Sequence, residues 1–502
     1  MSIINYYLPF TSEILFTTIL LQNISDSIYT INKKEENHED FLDTFFMFML
    51  LIILTYSNNF FVACNDFLFV YDLNIKTIKL FVLWFCFLSY ILIWRSFRLQ
   101  GLIFFEYNLI YLMAILALLN ISSSFNLISL YLSLEFQSIS FYVLAAMHRK
   151  SIFSSEAGLK YFISSSLMSG IFLLGSVLIY GSLGTTQFKE MYLIFNYILT
   201  INYLPVIICA LSGIICIFIT ILFKLVISPF HLWFPQIYDG SPLGSTIIFS
   251  TIPKIILFAL LIKVWSILAT IFSGIEALFF LIGAYSIFFG NLKLIKQERV
   301  KKFYIYSSIS QMGLLICAVV NSTVDSHTAI YFLLIAYLIS SIILWGVLVL
   351  INYNQNRTNE LNKNNIKPLF LSLLSNFFKQ NSILSILYLF VFFSLAAIPP
   401  FIGFLSKVSI FLTLISKLKY EISAIIIYLS VFGIYYYIKF LKIIFFENLK
   451  KSTDKVEHSF FSVSYLSIDC FILSLALFFL IFFGFYPNLL FLCCLKLSLY
   501  SF

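Results

Sequence analysis

The chain has 502 residues, 61% of them apolar and only 11% charged, with a mean hydropathy of +0.99 and a formal net charge of +8. An average soluble domain carries about 25% charged residues, so this composition excludes a soluble enzyme or binding domain and describes an integral membrane protein. No polar segment between the apolar runs is long enough to build a soluble domain. The N-terminus has neither the features of a secretory signal nor an Arg-rich amphipathic presequence, so insertion through the chain's own spans is expected. The 60 Phe and 31 Tyr, with abundant Ile, Asn and Lys, are residues that A+T-rich codons specify, which hints at an organellar genome.

Apolar runs of about 20 residues bounded by polar clusters predict fourteen transmembrane helices. They lie near 8–30, 43–63, 77–95, 103–122, 126–146, 157–180, 203–238, 243–267, 272–290, 304–321, 328–352, 381–417, 422–446 and 465–486. Glu13, Gln22 and Asp26 interrupt the first. The seventh and twelfth are too long for one crossing, and proline divides both: Pro229 and Pro235 in one, Pro399–Pro400 in the other. Proline in a spanning helix frees carbonyls that neighbouring helices, hydroxyls or water must satisfy. The expected fold class is an all-α polytopic membrane protein.

Loops after odd-numbered spans hold 18 Lys and Arg residues, whereas loops on the other side, with the C-terminal tail, hold 6. By the positive-inside rule the odd loops face the cytoplasm or mitochondrial matrix, and both termini face the opposite side. The two broken spans lie five spans apart. Five is odd, so units made of spans 4–8 and 9–13 would be inverted with respect to each other, and broken segments at matching positions of such units point to an ion site. The organisation implied is three N-terminal helices (1–102), a first repeat (103–270), an inverted second repeat (271–447) and a C-terminal helix with its tail (448–502).

The charges inside the predicted spans are few. Lys224 stands near the middle of the apolar run from Cys209 to Asp239, Glu135 near the centre of the fifth span, Lys254 near the centre of the eighth with Lys263 towards its end, and Lys407 shortly after Pro399–Pro400. A charge at the centre of a spanning helix costs roughly 2.5–3.5 kcal/mol on translocon scales, and such groups face the bundle interior or water and pair with one another. A Glu135–Lys224 pair would keep both groups charged, and a lysine able to lose its partner can accept and release protons. Glu156 and Lys160, i,i+4 at the start of the sixth span after a Ser154 or Ser155 N-cap, read as a helix-end salt bridge worth a few tenths of a kcal/mol. His231, just past Pro229, reads equally well as a water-linked relay member or an interfacial histidine. His38, His148, His327 and His458 fall in predicted loops, and the Tyr435–Tyr437 run reads as packing.

The 8 cysteines are scattered without a CxxC, and no GxG occurs among the 17 glycines. Iron–sulfur, zinc, haem-attachment, dinucleotide and P-loop spacings are therefore missing, and the chain is expected to hold no redox cofactor of its own.

Seven blocks carry a family resemblance: LEFQSISFYVLAA, FSSEAGLKYF, IYGSLGTTQF, FKLVISPFHLWFPQIYDGSP, STIPKIILFALL, VKKFYIYSSISQMG and AAIPPFIGFLSKVSIF. In this order, over roughly residues 105–445, the chain resembles the antiporter-like membrane subunits of proton-pumping NADH:ubiquinone oxidoreductase (respiratory complex I), in particular the mitochondrially encoded subunit 2. Lysine rather than glutamate after the twelfth-span break disfavours the sister subunit 4, and the missing lateral helix disfavours subunit 5. The resemblance implies two inverted five-helix repeats with broken helices 7 and 12. It implies a proton relay through Glu135, Lys224, Lys254 and Lys407, with Lys160 and His231 as further members. Many relatives carry histidine where this chain has Gln311, which can hold water but cannot carry a proton charge. Also implied are a location in the mitochondrial inner membrane, sister antiporter-like subunits and lipids as partners, no nucleic acid, and FMN, iron–sulfur clusters and ubiquinone in partner subunits. A subunit of a multi-subunit sodium–proton antiporter shares the same ancestral unit and is the alternative.

Overall fold

The structure is a computed structural model and describes residues 17, 68–70, 72–99, 105–201, 204–269, 273–358, 370–375, 377–447 and 467–499. These residues form sixteen main helices in chain order. They are α1 (Leu73–Leu99), α2 (Phe105–Ser123), α3 (Leu127–Ala146), α4 (Ile152–Leu183), α5 (Phe188–Ile201), α6 (Leu204–Lys224), α7 (Trp233–Gly240) and α8 (Leu243–Ala269). They continue with α9 (Ser273–Leu294), α10 (Val300–Val319), α11 (Val324–Thr358), α12 (Ser382–Leu395), α13 (Ile402–Ser416), α14 (Tyr420–Phe445), α15 (Ser467–Phe485) and α16 (Pro487–Leu499). Among the described residues, nine helices are long and apolar enough to cross a membrane, and α15 with α16 forms a further pair bent by 92°.

Predicted spans 3 to 14 each coincide with a helix or a broken pair. The first two spans, 8–30 and 43–63, lie outside the described residues, as do His38 and His458. Sequence reading missed α5 and α16. Phe188–Ile201 is too short for a crossing and opens on Lys189 and Glu190, so a window tuned to apolar runs passes over it. Pro487 starts α16 at the position where proline's missing donor costs nothing. Four helices, α1, α4, α10 and α11, also begin four or five residues earlier than predicted. α1 already includes Lys76 and Lys79, read as loop charges, with Lys79 buried. α4 starts at Ile152 after Ser151, and the Ser154 hydroxyl donates to the Ala145 carbonyl instead of capping the helix. His327, expected in a solvated loop, is buried in the first turn of α11.

An all-round apolar helix can face either lipid or other helices; α11 faces other helices throughout, with its apolar stretch 100% buried. It packs against α1, α8, α10, α12, α13, α15 and α16 and so forms the post of the bundle. At the periphery, α4 buries only 22% of its window and turns Phe153, Leu159, Leu167 and Val177 outward. Lipid tails are as apolar as leucine, so helix association in a bilayer depends on close packing at small residues. Gly175 of α4 and Gly213 of α6 supply it, since a Cβ on either would stand 2.7 Å from the other's carbonyl oxygen.

Candidate functional site

The two helix breaks share one backbone pattern. α6 ends at Lys224, and Val226 then adopts a left-handed conformation with φ of 64°; α12 ends at Leu395, and Ala397 does the same with φ of 61°. In the first break Val226 N donates to the Phe223 carbonyl, Ile227 N to Leu222 and Phe230 N to Ile227. The second repeats this bond for bond: Ala397 N to Ser394, Ile398 N to Phe393 and Phe401 N to Ile398. These bonds satisfy carbonyls that the broken helices would otherwise leave open. A β-branched residue at positive φ is a backbone outlier, held at a cost of roughly 1–3 kcal/mol. The span at 203–238, expected to be divided by proline, is a helix, a non-helical passage and the short helix α7.

Each break carries a lysine. At the last residue of α6, the Lys224 ammonium donates to the Leu134 carbonyl of α3 at 3.0 Å. On the far side of the other break, the Lys407 ammonium reaches back to the Leu395 carbonyl at 2.7 Å. Gly403 allows that approach, because a side chain there would collide with the Ser394 carbonyl. Between the breaks, Lys254 of α8 is 3% exposed and donates to the Tyr337 hydroxyl of α11 at 2.6 Å. Its ammonium also stands 4.3 Å from the centre of the Tyr337 ring, a cation–π contact.

Lys224 and Lys254 open onto one cavity, whose other walls include Gln137, Tyr161, Trp233 and Tyr238. About 30 Å³ of it is open to water, room for one or two molecules. Trp233 forms a wall of it, stacked on Tyr161 with ring centres 5.1 Å apart and on Phe223 at 4.9 Å. A second cavity of about 20 Å³ brings together Lys407, Gln311, Tyr337, Ser340, Ser394 and Ser406. A larger groove of about 480 Å³ between Leu294 and Ile443 contains none of these lysines.

Residues 124–433 match the model of a family described as NADH:quinone oxidoreductase/Mrp antiporter, transmembrane. NADH-ubiquinone oxidoreductase chain 2 of Marchantia polymorpha is 32% identical over 411 residues, which are 80% of this chain and 78% of that protein. The chain belongs to this family. In fold, the chain is similar to a chain of respiratory complex I from Thermus thermophilus with bound aureothin. That likeness has a TM-score of 0.75 at 21% identity and covers 96% of this chain and 98% of the other. It is also similar to a chain of the Mrp complex from Dietzia sp. DQ12-45-1b, with a TM-score of 0.78 at 16% identity and 97% of both chains covered.

In this family member the remaining predicted site residues divide. Glu135 is half-buried beside the Leu134 carbonyl that Lys224 holds, yet its carboxylate accepts from the Ser138 hydroxyl at 3.1 Å and makes no ion pair with Lys224. The expected direct pair is therefore replaced by a through-space neighbour, because the lysine head is aimed at the backbone one residue away. His231 is buried, accepts or donates at Nδ1 with the Ser228 hydroxyl at 2.9 Å, and lies 4.2 Å from the Phe289 ring. Lys160 does form the i,i+4 pair with Glu156, at 2.6 Å, but with 46% of its side chain exposed on α4; its neighbour Tyr161, rather than Lys160, faces the cavity. Lys263 donates to the Ser122 carbonyl at 2.9 Å. The sequence reading missed Tyr337. A signal was present, though Tyr331 of the same span shares it: a tyrosine in a mostly apolar span needs a partner for its hydroxyl.

Proposed function

We propose that this chain is the subunit-2-type membrane-arm subunit of a proton-pumping NADH:ubiquinone oxidoreductase, and that it moves protons through its buried Glu and Lys residues. Electron transfer from NADH to ubiquinone would occur in partner subunits, which would hold FMN, the iron–sulfur clusters and the quinone. The observation that carries the relay is its continuity: Lys224 and Lys254 share a cavity with room for water, and Lys254 contacts a residue that lines the cavity of Lys407. Charges this expensive in hydrocarbon are poor packing elements, since apolar or neutral groups fill the same space at lower cost.

The proposed location is the mitochondrial inner membrane, with odd-numbered loops in the matrix and both termini in the intermembrane space. The bundle supports the alternation of ends. Asp239 pairs with Arg299 and Lys302, joining the loops after predicted spans seven and nine. Lys419, in the loop after span twelve, pairs at 2.7 Å with Glu276 in the first turn of α9, at the end of span nine next to the loop after span eight. Sister antiporter-like subunits and lipids would cover outward faces such as that of α4. The fold alone is equally similar to a chain of the Mrp complex; the sequence identity to a chain 2 over four fifths of the length favours complex I.

Native electrophoresis of mildly solubilised membranes, with an in-gel stain for NADH oxidation and peptide identification of this chain, tests the assignment. Migration in a very large NADH-oxidising band is expected. Migration in a small band without that activity would replace it with the antiporter reading, to be followed by a sodium–proton exchange assay.

A further inference from the structure

We infer that the Tyr337 hydroxyl is the link that carries protons between Lys254 and the Lys407 cavity. The inference deepens the proton-translocation reading and rests on it. Neither broken helix supplies this link. Lys407 is bonded to its own break at Leu395, and Lys254 is bonded across the bundle to α11. Tyr337 is the residue that touches the first lysine and lines the cavity of the second. It stands on the post helix, is 8% exposed, and has a hydroxyl that both accepts and donates.

The bond geometry suits a transfer in place of a fixed anchor. The Lys254 contact is short at 2.6 Å, whereas the hydroxyl's own donated bond, to the Ser250 carbonyl, is long at 3.4 Å. A hydroxyl that accepts strongly and donates weakly has a proton free to turn towards another acceptor. In the Lys407 cavity, Gln311 holds position with an amide that cannot take up charge, and the serine hydroxyls of Ser340, Ser394 and Ser406 donate to carbonyls of their own helices. That leaves water as the acceptor, and the cavity's 20 Å³ admits one molecule.

The step balances as a proton shift. The Lys254 ammonium gives a proton to the Tyr337 oxygen while the hydroxyl proton passes to the cavity water, and the water passes a proton to the Lys407 amine. Lys254 ends neutral, Lys407 ends charged, and the tyrosine and water are restored once the hydroxyl turns back. No electron moves.

Tyr337→Phe keeps the ring and its cation–π contact and removes only the hydroxyl. The test compares Tyr337→Phe with Lys254→Met in membrane vesicles containing the assembled complex, measuring NADH oxidation with an artificial acceptor, quinone-linked turnover and protons moved per NADH. Expected is unchanged artificial-acceptor activity in both, with pumping lowered about tenfold or more in both, as for loss of a positioned proton carrier. Wild-type pumping in Tyr337→Phe with loss in Lys254→Met would overturn the link and leave the relay reading standing. Wild-type pumping in Lys254→Met would overturn the relay reading itself. Should the Phe variant fail to assemble, Tyr337→His decides. An imidazole titration, displaced below its ordinary value of about 6.5 by burial and the Lys254 ammonium, should appear in the pH profile of pumping. An unaltered profile, or loss of pumping at every pH, would overturn the link.

Discussion

Replacing Lys224 by methionine separates a structural role from a proton-carrying one. Methionine matches the length of the lysine stem and removes the charge. Among the described residues the lysine's hydrogen-bond partner is the Leu134 carbonyl at 3.0 Å, and that carbonyl lies in the interior of α3, where it already accepts from the backbone four residues on. No buried acceptor is orphaned by the change. The lost charge-assisted bond is worth roughly 1.5–3 kcal/mol, while the penalty of holding an ammonium at this depth, roughly 2.5–3.5 kcal/mol, is relieved. The two nearly cancel, so Lys224→Met should leave stability within about 2 kcal/mol of wild type, on the favourable side where the site repacks. The assay is paired: thermal stability of the assembled complex in detergent, and protons moved per NADH in vesicles. Intact assembly with lost pumping is expected. A variant that falls apart yet pumps normally wherever it survives would show that Lys224 is a structural post, and the reasoning would fail.

Other perturbations follow from the same geometry. Glu135→Gln should lower pumping more mildly than loss of Lys224, because the carboxylate acts on the lysine across space; its pH profile should differ from wild type, and identical profiles would remove Glu135 from the path. Asp239→Asn breaks contacts to Arg299 and Lys302 at a site 16% exposed. Discounted for solvent, the cost should be about 1–2 kcal/mol, read as less assembled complex after mild heating with pumping per NADH unchanged. Gly403→Val should block the approach of α13 to the Ser394 carbonyl and reduce the complex on native gels, with overpacking of about 1–3 kcal/mol; normal assembly would contradict the close packing at that break.

The helices were legible because lipid imposes one rule on sequence: spans must be apolar and long enough. α8 and α11 show how far that rule reaches, since their predicted bounds 243–267 and 328–352 fall inside Leu243–Ala269 and Val324–Thr358. It fails for α5 and α16, whose apolar runs are too short to mark a crossing. The buried lysines were legible for the same reason: a charge in hydrocarbon stands out. Their partners were not. Charge pairing favoured Glu135 for Lys224, but the ammonium found a backbone carbonyl, which no residue pattern records. Lys160 and Tyr161 show a finer limit, because adjacent residues on one helix point about 100° apart and only packing decides which of them meets the cavity. Tyr337 was hidden by type, since aromatic residues in apolar spans usually pack.

The most direct test of the account is the number of protons moved per NADH in vesicles carrying Lys407→Met. This residue ends the proposed relay, lies 7% exposed and, among the described residues, bonds to the Leu395 carbonyl of its own break. The account predicts retained NADH oxidation with an artificial acceptor and fewer protons per NADH through the quinone-linked reaction. An unchanged ratio in the fully assembled variant would contradict it.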